Sequence, residues 1–391
     1  MPYRGSSNKG FVLDYWVLMA LSILVVIGVA MSVSIAIPDA TVHQARALAA
    51  LRRYLIYLIP GFAVFFAAIL FPVRWYRGAA VPFFLLTVGL LVLVLALGKS
   101  TKGAERWLQF GPFRFQPSEL AKLALVWFIA WYASVHQQKL HVFWRGVFPL
   151  ILAVALLVGL VGIQPNVSTA GLLLVVAVLL LFLAGVPVRL LLKIGFFGGI
   201  LAVLLLGTAS MVPPLQPLSK KVTNKFAHVP RRIHQFLHPE EDSQLEAVML
   251  GLSEGGLLGA GVGRGKIKFA YLYEPGTDYV YGVVGEEMGL LGMWTVLFLY
   301  VLLGWRALSI AQRLHEKQQD PMLYLTAAGI GLVLWLFPLT HMLVVLGLAP
   351  PTGQPLPFIS RGGTNLVVHM ILLGLLLRLH HVAQTGRKTL R

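Results

Sequence analysis

The sequence predicts an all-α polytopic membrane protein of about ten transmembrane helices, with both termini on the inner side and one large extracytoplasmic loop. Two observations carry that expectation. Of the 391 residues, 58% are hydrophobic and only 12% charged, with a mean hydropathy of +0.79, whereas water-soluble domains carry about 25% charged residues. Apolar stretches of about 17 to 25 residues, long enough to cross a bilayer as helix, recur along nearly the whole chain.

The expected spans are 12–36, 53–71, 79–97, 118–135, 146–163, 168–185, 190–212, 284–304, 323–347 and 364–383, within a single membrane domain over residues 1–391. The first follows Arg4 and Lys9. It is too long for a signal peptide and lacks a small-residue cleavage site, so it reads as an uncleaved anchor. The chain contains no cysteine, which excludes disulfide and thiol chemistry.

With ten spans and the N-terminus inside, 15 of the 32 Lys and Arg residues fall inside and 17 outside. Eight of the outer 17 lie in the long loop at about 213–283, and long loops translocate largely regardless of charge. Without that loop the balance is 15 against 9, which favours N-in and C-in. Nine of the 15 Asp and Glu residues fall between Glu240 and Glu287, so the outer loop is where chemistry is expected. The net charge of +17 suits anionic lipid head groups. Its scatter over both faces argues against nucleic-acid binding.

Two familiar patterns fail on inspection. "GLSEG", Gly251 to Gly255, has the spacing of a hydrolase nucleophile elbow but sits in what reads as a short helix, not between a strand and a helix. "GAGVGRGK", Gly259 to Lys266, matches no nucleotide-binding fingerprint and reads as a flexible basic loop. No histidine shows metal-ligand spacing.

Four segments survive. "KGAERWLQFGPFRFQPSELAK", Lys102 to Lys122, is a structured outer loop leading into a helix start, with Ser118 or a neighbour capping and Glu119 able to pair with Lys122 three residues on. Lys102 and Arg106 are either ligand contacts or ordinary rim residues. "QPNVST", Gln164 to Thr169, is a polar break between apolar spans, tolerated at bilayer depth only when buried in protein or lining a wet cavity. A site and a tight helix turn are both open there. "TDYVYGVVGEEMGLLG" places Asp278 at the mouth of a span, followed by Gly282, Gly285, Gly289 and Gly292, a smooth stripe for a packed helix. Asp278 is either a helix cap or a functional acid. Glu286 and Glu287 lie deeper, where an ionised group must be paired or wet. "PPTGQPLPFISRGGTN", Pro350 to Asn365, places Arg361 beside two glycines, suited to phosphate.

These segments in this order, with "RIHQFLHPEED" and "GGLLGAGVGRGK" between them, resemble the SEDS family, the FtsW/RodA-type peptidoglycan glycosyltransferases, and the division-type FtsW more than the elongation-type RodA. The likeness runs nearly end to end. It implies polymerisation of lipid II into glycan strands at the outer face of the bacterial cytoplasmic membrane, in division or elongation. It also implies a class B penicillin-binding protein as transpeptidase partner, and divisome proteins. By the same resemblance Asp278 falls on the family's essential loop aspartate, with Lys102, Arg106, Glu119 and Lys122 next. The chain departs from the family pattern at Asn166 and Ser168, at Tyr273, Pro275, Gly276 and Tyr279, and at Arg361, where a tyrosine is usual. The loss of an anion at 166 bears on any metal-ligand role there.

The implied reaction is an inverting displacement. Asp278 is expected to act as general base, and Lys102, Arg106, Lys266 and Arg361, or a divalent cation such as magnesium or manganese, to meet the pyrophosphate. Two other functions share the sequence features: a lipid II flippase and a non-catalytic divisome scaffold.

Overall fold

The computed structural model describes residues 11–36, 43–97, 99–101, 104–110, 113–164, 166–196, 228–238, 243–270, 272 and 274–386. Eleven helices position the site: α1 (Tyr15–Ser34), α2 (His43–Leu70), α3 (Tyr76–Leu97), α4 (Pro117–Val135), α5 (Phe148–Ile163), α6 (Val167–Leu183), α7 (His228–Leu237), α8 (Ser243–Gly255), α9 (Val280–Glu316), α10 (Pro321–Val345) and α11 (Gly363–Thr385). Seven helical segments among the described residues are long and apolar enough to cross a membrane, and Tyr54–Leu70 and Val167–Leu183 are shorter apolar helices. Nine of the ten expected spans thus coincide with an apolar helix. The remaining one, 190–212, lies largely outside the described residues, which are helical from 188 to 196.

Between α3 and α4 the expected structured loop is a small antiparallel sheet of three strands, β1 (Lys99–Thr101), β2 (Ala104–Phe110) and β3 (Phe113–Phe115). Leu108 pairs with Phe115, and Phe110 with Phe113. The alternation in "RWLQF" and "FRF" is too short to be read as strand from sequence alone.

The helices start where local chemistry lets them. Asp14 caps α1 by accepting from the Trp16 and Val17 amides at 3.1 and 3.4 Å. Asp320 caps α10 through the Met322 amide at 2.9 Å, with Pro321 in the first turn. In α4 the cap position is Gln116, with Pro117 following, and it makes no side-chain cap bond.

Packing joins α9 to α10 and α2 to α11 along much of their lengths, with α4 held between α3, α6 and α10. Helix α1 runs antiparallel to α9, and two buried polar clasps mark the ends of the pair. At one end Asp14 accepts from Arg306 Nε and Nη2 at 2.9 and 2.6 Å, with His380 Nδ1 at 3.3 Å. At the other, Ser34 Oγ donates to Glu287 Oε1 at 2.6 Å. Twenty helical residues span about 30 Å, the thickness of a bilayer's hydrocarbon core. The apolar stretch between the clasps is therefore long enough to cross a bilayer.

Helix α9 bends at Gly289, whose φ of 66° and ψ of −167° belong to a region only glycine enters readily. The bend frees backbone groups that lipid could not satisfy. The loop after α8 satisfies them: Ala260 and Gly261 amides donate to the Glu286 and Glu287 carbonyls at 2.9 and 3.0 Å, and Leu290 and Leu291 amides donate to the Gly256 and Leu257 carbonyls at 3.0 and 3.2 Å. A Cβ at 289 would stand 2.4 Å from the Gly259 nitrogen. Gly289→Ala is therefore expected to destabilise the protein by at least about 1–3 kcal/mol, seen as a lower unfolding midpoint in detergent. An unchanged midpoint would show that the bend is not fixed by this residue.

The glycine stripe does receive a helix. Cβ atoms at Gly282 and Gly285 would stand 3.2 and 2.1 Å from Val248 and Leu252 of α8, so only bare backbone allows the approach. Gly289 belongs to the bend rather than to this contact. Ser253, in the rejected elbow pattern, lies within α8 and donates to the Leu250 carbonyl at 2.7 Å.

Candidate active site

Three polar breaks fold together at one end of the bundle. Asn166 Nδ2 donates to Ser118 Oγ at 3.2 Å, and the same oxygen accepts from Gln116 Nε2 at 3.0 Å. Thr169 Oγ1 donates to Asn166 Oδ1 at 2.7 Å and accepts from Gln354 Nε2. His341 Nδ1 lies 2.6 Å from the Gln354 carbonyl. All six side chains are buried, so Asn166 and Thr169 of the polar break are enclosed by protein. Asn166 both donates and accepts here, which a carboxylate could not do. Ser118, expected as a helix cap, spends its hydroxyl on this network.

Beneath the network lies a buried ion pair. Lys122 Nζ is 2.7 Å from Glu119 Oε2, with side-chain exposures of 0% and 2%. Asn365 Nδ2 donates to the same carboxylate oxygen at 2.8 Å, and the ammonium stands 4.2 Å from the centroid of Phe337. Both residues expected to contact ligand are thus engaged with protein.

Asp278 ends a tight turn. Its amide and that of Thr277 donate to the Glu274 carbonyl at 3.1 and 3.2 Å, and Thr277 Oγ1 donates to Glu274 Oε2 at 2.8 Å. Helix α9 begins at Val280 with Tyr279 in the cap position, so Asp278 stands one residue outside it. The carboxylate is half-buried. Gly353 of the 350–362 loop packs against it, with room for a Cβ only 3.5 Å from Oδ2. Arg232 of α7 interacts with it electrostatically. Partial burial pulls its guanidinium below the usual arginine range, while the charges of Asp278 and Tyr279 push it back up. Arg232 Nη1 also reaches Ser168 Oγ at 3.5 Å. Helix α7 thereby joins the carboxylate to the 164–169 break, a neighbourhood the sequence only hinted at through the basic run "RR" in the loop.

Glu286 and Glu287 form a different arrangement. Glu287 accepts from the Gly263 and Gly265 amides at 3.0 and 3.3 Å and pairs with Lys268 Nζ at 2.5 Å, both side chains fully buried. Lys268 Nζ also donates to Ser34 Oγ at 2.6 Å. Glu286 accepts from the Lys266 and Ile267 amides at 2.5 and 3.3 Å. The loop expected to be flexible is therefore fixed by two carboxylates. Lys266, expected near substrate, extends its side chain 77% exposed to Glu254 at 3.3 Å.

Arg361 bonds to the turn before Asp278 and to the end of α1. Its backbone amide donates to the Gly276 carbonyl at 2.8 Å, and Nη2 donates to the Ser32 carbonyl at 2.7 Å. Lys102 lies outside the described residues, and Arg106 belongs to β2, where the backbone alone is described.

The comparisons with known proteins bear on this arrangement as a whole. The FTSW_RODA_SPOVE family profile, described as "Cell cycle protein", matches residues 15–385. The chain belongs to the FtsW/RodA/SpoVE family. Among its relatives, the "Probable peptidoglycan glycosyltransferase FtsW" of Geobacter sp. strain M18 is 34% identical over 371 residues, 93% of this chain and 95% of the relative. That of Coxiella burnetii is 32% identical over 329 residues, 84% and 85% of the two chains. Among solved structures, the rod shape determining protein RodA of Thermus thermophilus superposes with a TM-score of 0.65 at 25% identity, over 95% of this chain and 97% of RodA. A chain from "Structural coordination of polymerization and crosslinking by a peptidoglycan synthase complex" superposes at 0.72 and 26% identity, over 96% of this chain and 100% of that one. The family membership thus rests on both sequence and fold, and the FtsW/RodA/SpoVE match takes in every helix from α1 to α11.

Proposed function

We propose that this chain, a peptidoglycan glycosyltransferase of the FtsW/RodA/SpoVE family, polymerises lipid II at the outer face of the bacterial cytoplasmic membrane with Asp278 as general base. The observation that carries the reading is the half-buried Asp278 carboxylate, packed on Gly353 and within electrostatic reach of Arg232, which itself meets Ser168 of a polar break. An inverting transfer needs one base and positive charge for the leaving group. As a sugar 4-hydroxyl attacks the anomeric carbon of a lipid-linked sugar, its proton passes to an Asp278 oxygen. The new C–O bond forms as the bond to phosphate breaks, and the electron pair leaves on the pyrophosphate. Arg232, within electrostatic reach of Asp278 and 3.5 Å from Ser168 Oγ, is the cation proposed to meet that charge.

The fit to a divalent cation is poor in this set of residues. Among the described residues no three His, Asp or Glu side chains converge as a metal site needs, and the Asn166 amide is engaged with Ser118 and Thr169. No step is therefore routed through magnesium or manganese. A class B penicillin-binding protein is the expected transpeptidase partner, with divisome proteins regulating the pair and anionic lipids meeting the basic surface.

Purified protein with that partner in detergent tests the reading. Glycan strands formed from lipid II without any compartment support an enzyme; a flippase or a scaffold would give none. Arg232→Gln is expected to lower the polymerisation rate by roughly a hundredfold, the scale of losing one donor to developing negative charge. A rate within twofold of the parent would remove Arg232 from the leaving-group role.

A further inference from the structure

The geometry of Arg361 gives it a task other than holding phosphate. We infer that Arg361 is a positioning residue that straps the Asp278 turn to the end of α1. The inference rests on the reading of Asp278 as the base.

Helix α1 ends at Ser34, and its last turn must dispose of carbonyls that no further helical amide reaches. The Ile35 and Ala36 amides bond to the Met31 and Val33 carbonyls, each at 3.0 Å. The Ser32 carbonyl lies between them and accepts from Arg361 Nη2 at 2.7 Å. A guanidinium there also opposes the negative end of the helix dipole. The same residue's backbone amide holds the Gly276 carbonyl, two residues before Asp278. Its side chain crosses the turn so closely that a Cβ at Gly276 would stand 3.0 Å from Arg361 Cδ and 3.3 Å from Nε. One arginine thus touches α1 and the catalytic turn together.

The loop that carries Arg361 is itself immobilised. The Tyr54 and Tyr300 hydroxyls donate to the Phe358 and Pro357 carbonyls, and Ser360 Oγ and its amide both donate to the Leu356 carbonyl, at 2.8 and 2.9 Å. Gly353, in the same loop, packs on Asp278. A strap anchored in this way transmits the position of α1 to the carboxylate.

A phosphate ligand and a strap predict different kinetics. Arg361→Ala, assayed for glycan formation by the protein with its transpeptidase partner, is expected to lower kcat roughly tenfold, the scale of a sub-ångström misplacement of a reacting group. Its KM for lipid II should stay within twofold, and Arg361→Lys should recover part of kcat. Gly276→Ala, which keeps the arginine but pushes it off the turn, should lower kcat similarly. The two effects should not add in Arg361→Ala/Gly276→Ala, where the space is vacated. A raised KM with unchanged kcat, or additive losses, overturns the strap. If Arg361→Ala does not fold, the Gly276→Ala and Arg361→Lys kinetics decide by the same criteria. Asp278→Asn assayed in parallel keeps the two readings apart: full activity there refutes the base, whatever Arg361 does.

Discussion

Asp278→Asn is expected to lower the rate of glycan formation from lipid II by about 10²–10⁴-fold, the range of a positioned general base, while leaving the protein folded. The substitution keeps shape and replaces the carboxylate with an amide too weakly basic to take the proton. Stability should hold because α9 is capped at Tyr279, one residue away, and the Asp278 turn is closed by backbone and by Thr277 with Glu274. An aspartate whose value lay in capping would behave in the opposite way, costing about 1 kcal/mol of stability and little rate. The measurement is polymer length and initial rate by gel, with the unfolding midpoint determined on the same samples. Polymer at the parent rate would sink the base assignment. KM for lipid II should change little, since the carboxylate is asked to act as attack develops rather than to hold the ground state.

What the sequence made legible follows from the range of the interactions involved. Spans were visible because apolar length is a property of contiguous residues, and α1, α4, α10 and α11 start within a few residues of the expected positions. The glycine stripe announced a close helix contact, and α8 fills it at Gly282 and Gly285. Pairings between distant segments left no such trace. Ser34 and Glu287 are 253 positions apart, Asp14 and Arg306 are 292 apart, and only the fold brings them together. The glycine-rich stretch before Lys266 looked flexible by composition. In fact its glycines let backbone amides approach Glu286 and Glu287, and a Cβ at Gly265 would stand 2.4 Å from Glu286 Oε2. The charge of Arg361 was visible, but the Ser32 carbonyl it meets lies 329 positions away and left no trace. Asp278 and Arg232 were each visible as charged loop residues, but their neighbourhood depends on where α7 lies.

Lys122→Met is the second large effect, and it falls on stability. Removing the ammonium leaves the Glu119 carboxylate 2% exposed with Asn365 as its remaining donor in the cluster. Breaking a buried pair from one side costs about 3–5 kcal/mol, because the surviving charge stays in low dielectric. In a chain of 391 residues that corresponds to a fall of about 4–6 °C in the unfolding midpoint. The double variant Glu119→Gln/Lys122→Met should recover most of the loss. Methionine puts a thioether where the ammonium stood near the Phe337 ring, and the glutamine carbonyl still accepts from Asn365 Nδ2. Replacing both members of a buried pair with neutral groups of similar volume is often close to neutral. Recovery in the double variant would locate the cost in the stranded carboxylate, whereas equal losses in the single and double variants would show that the charge pair itself is required for the fold. The pair sits directly below Ser118, which holds Asn166, and Glu119 is tied by Asn365 to the start of α11. A single unpaired charge at that junction therefore loosens α4 and α11 together, and with them the support on which the polar breaks meet.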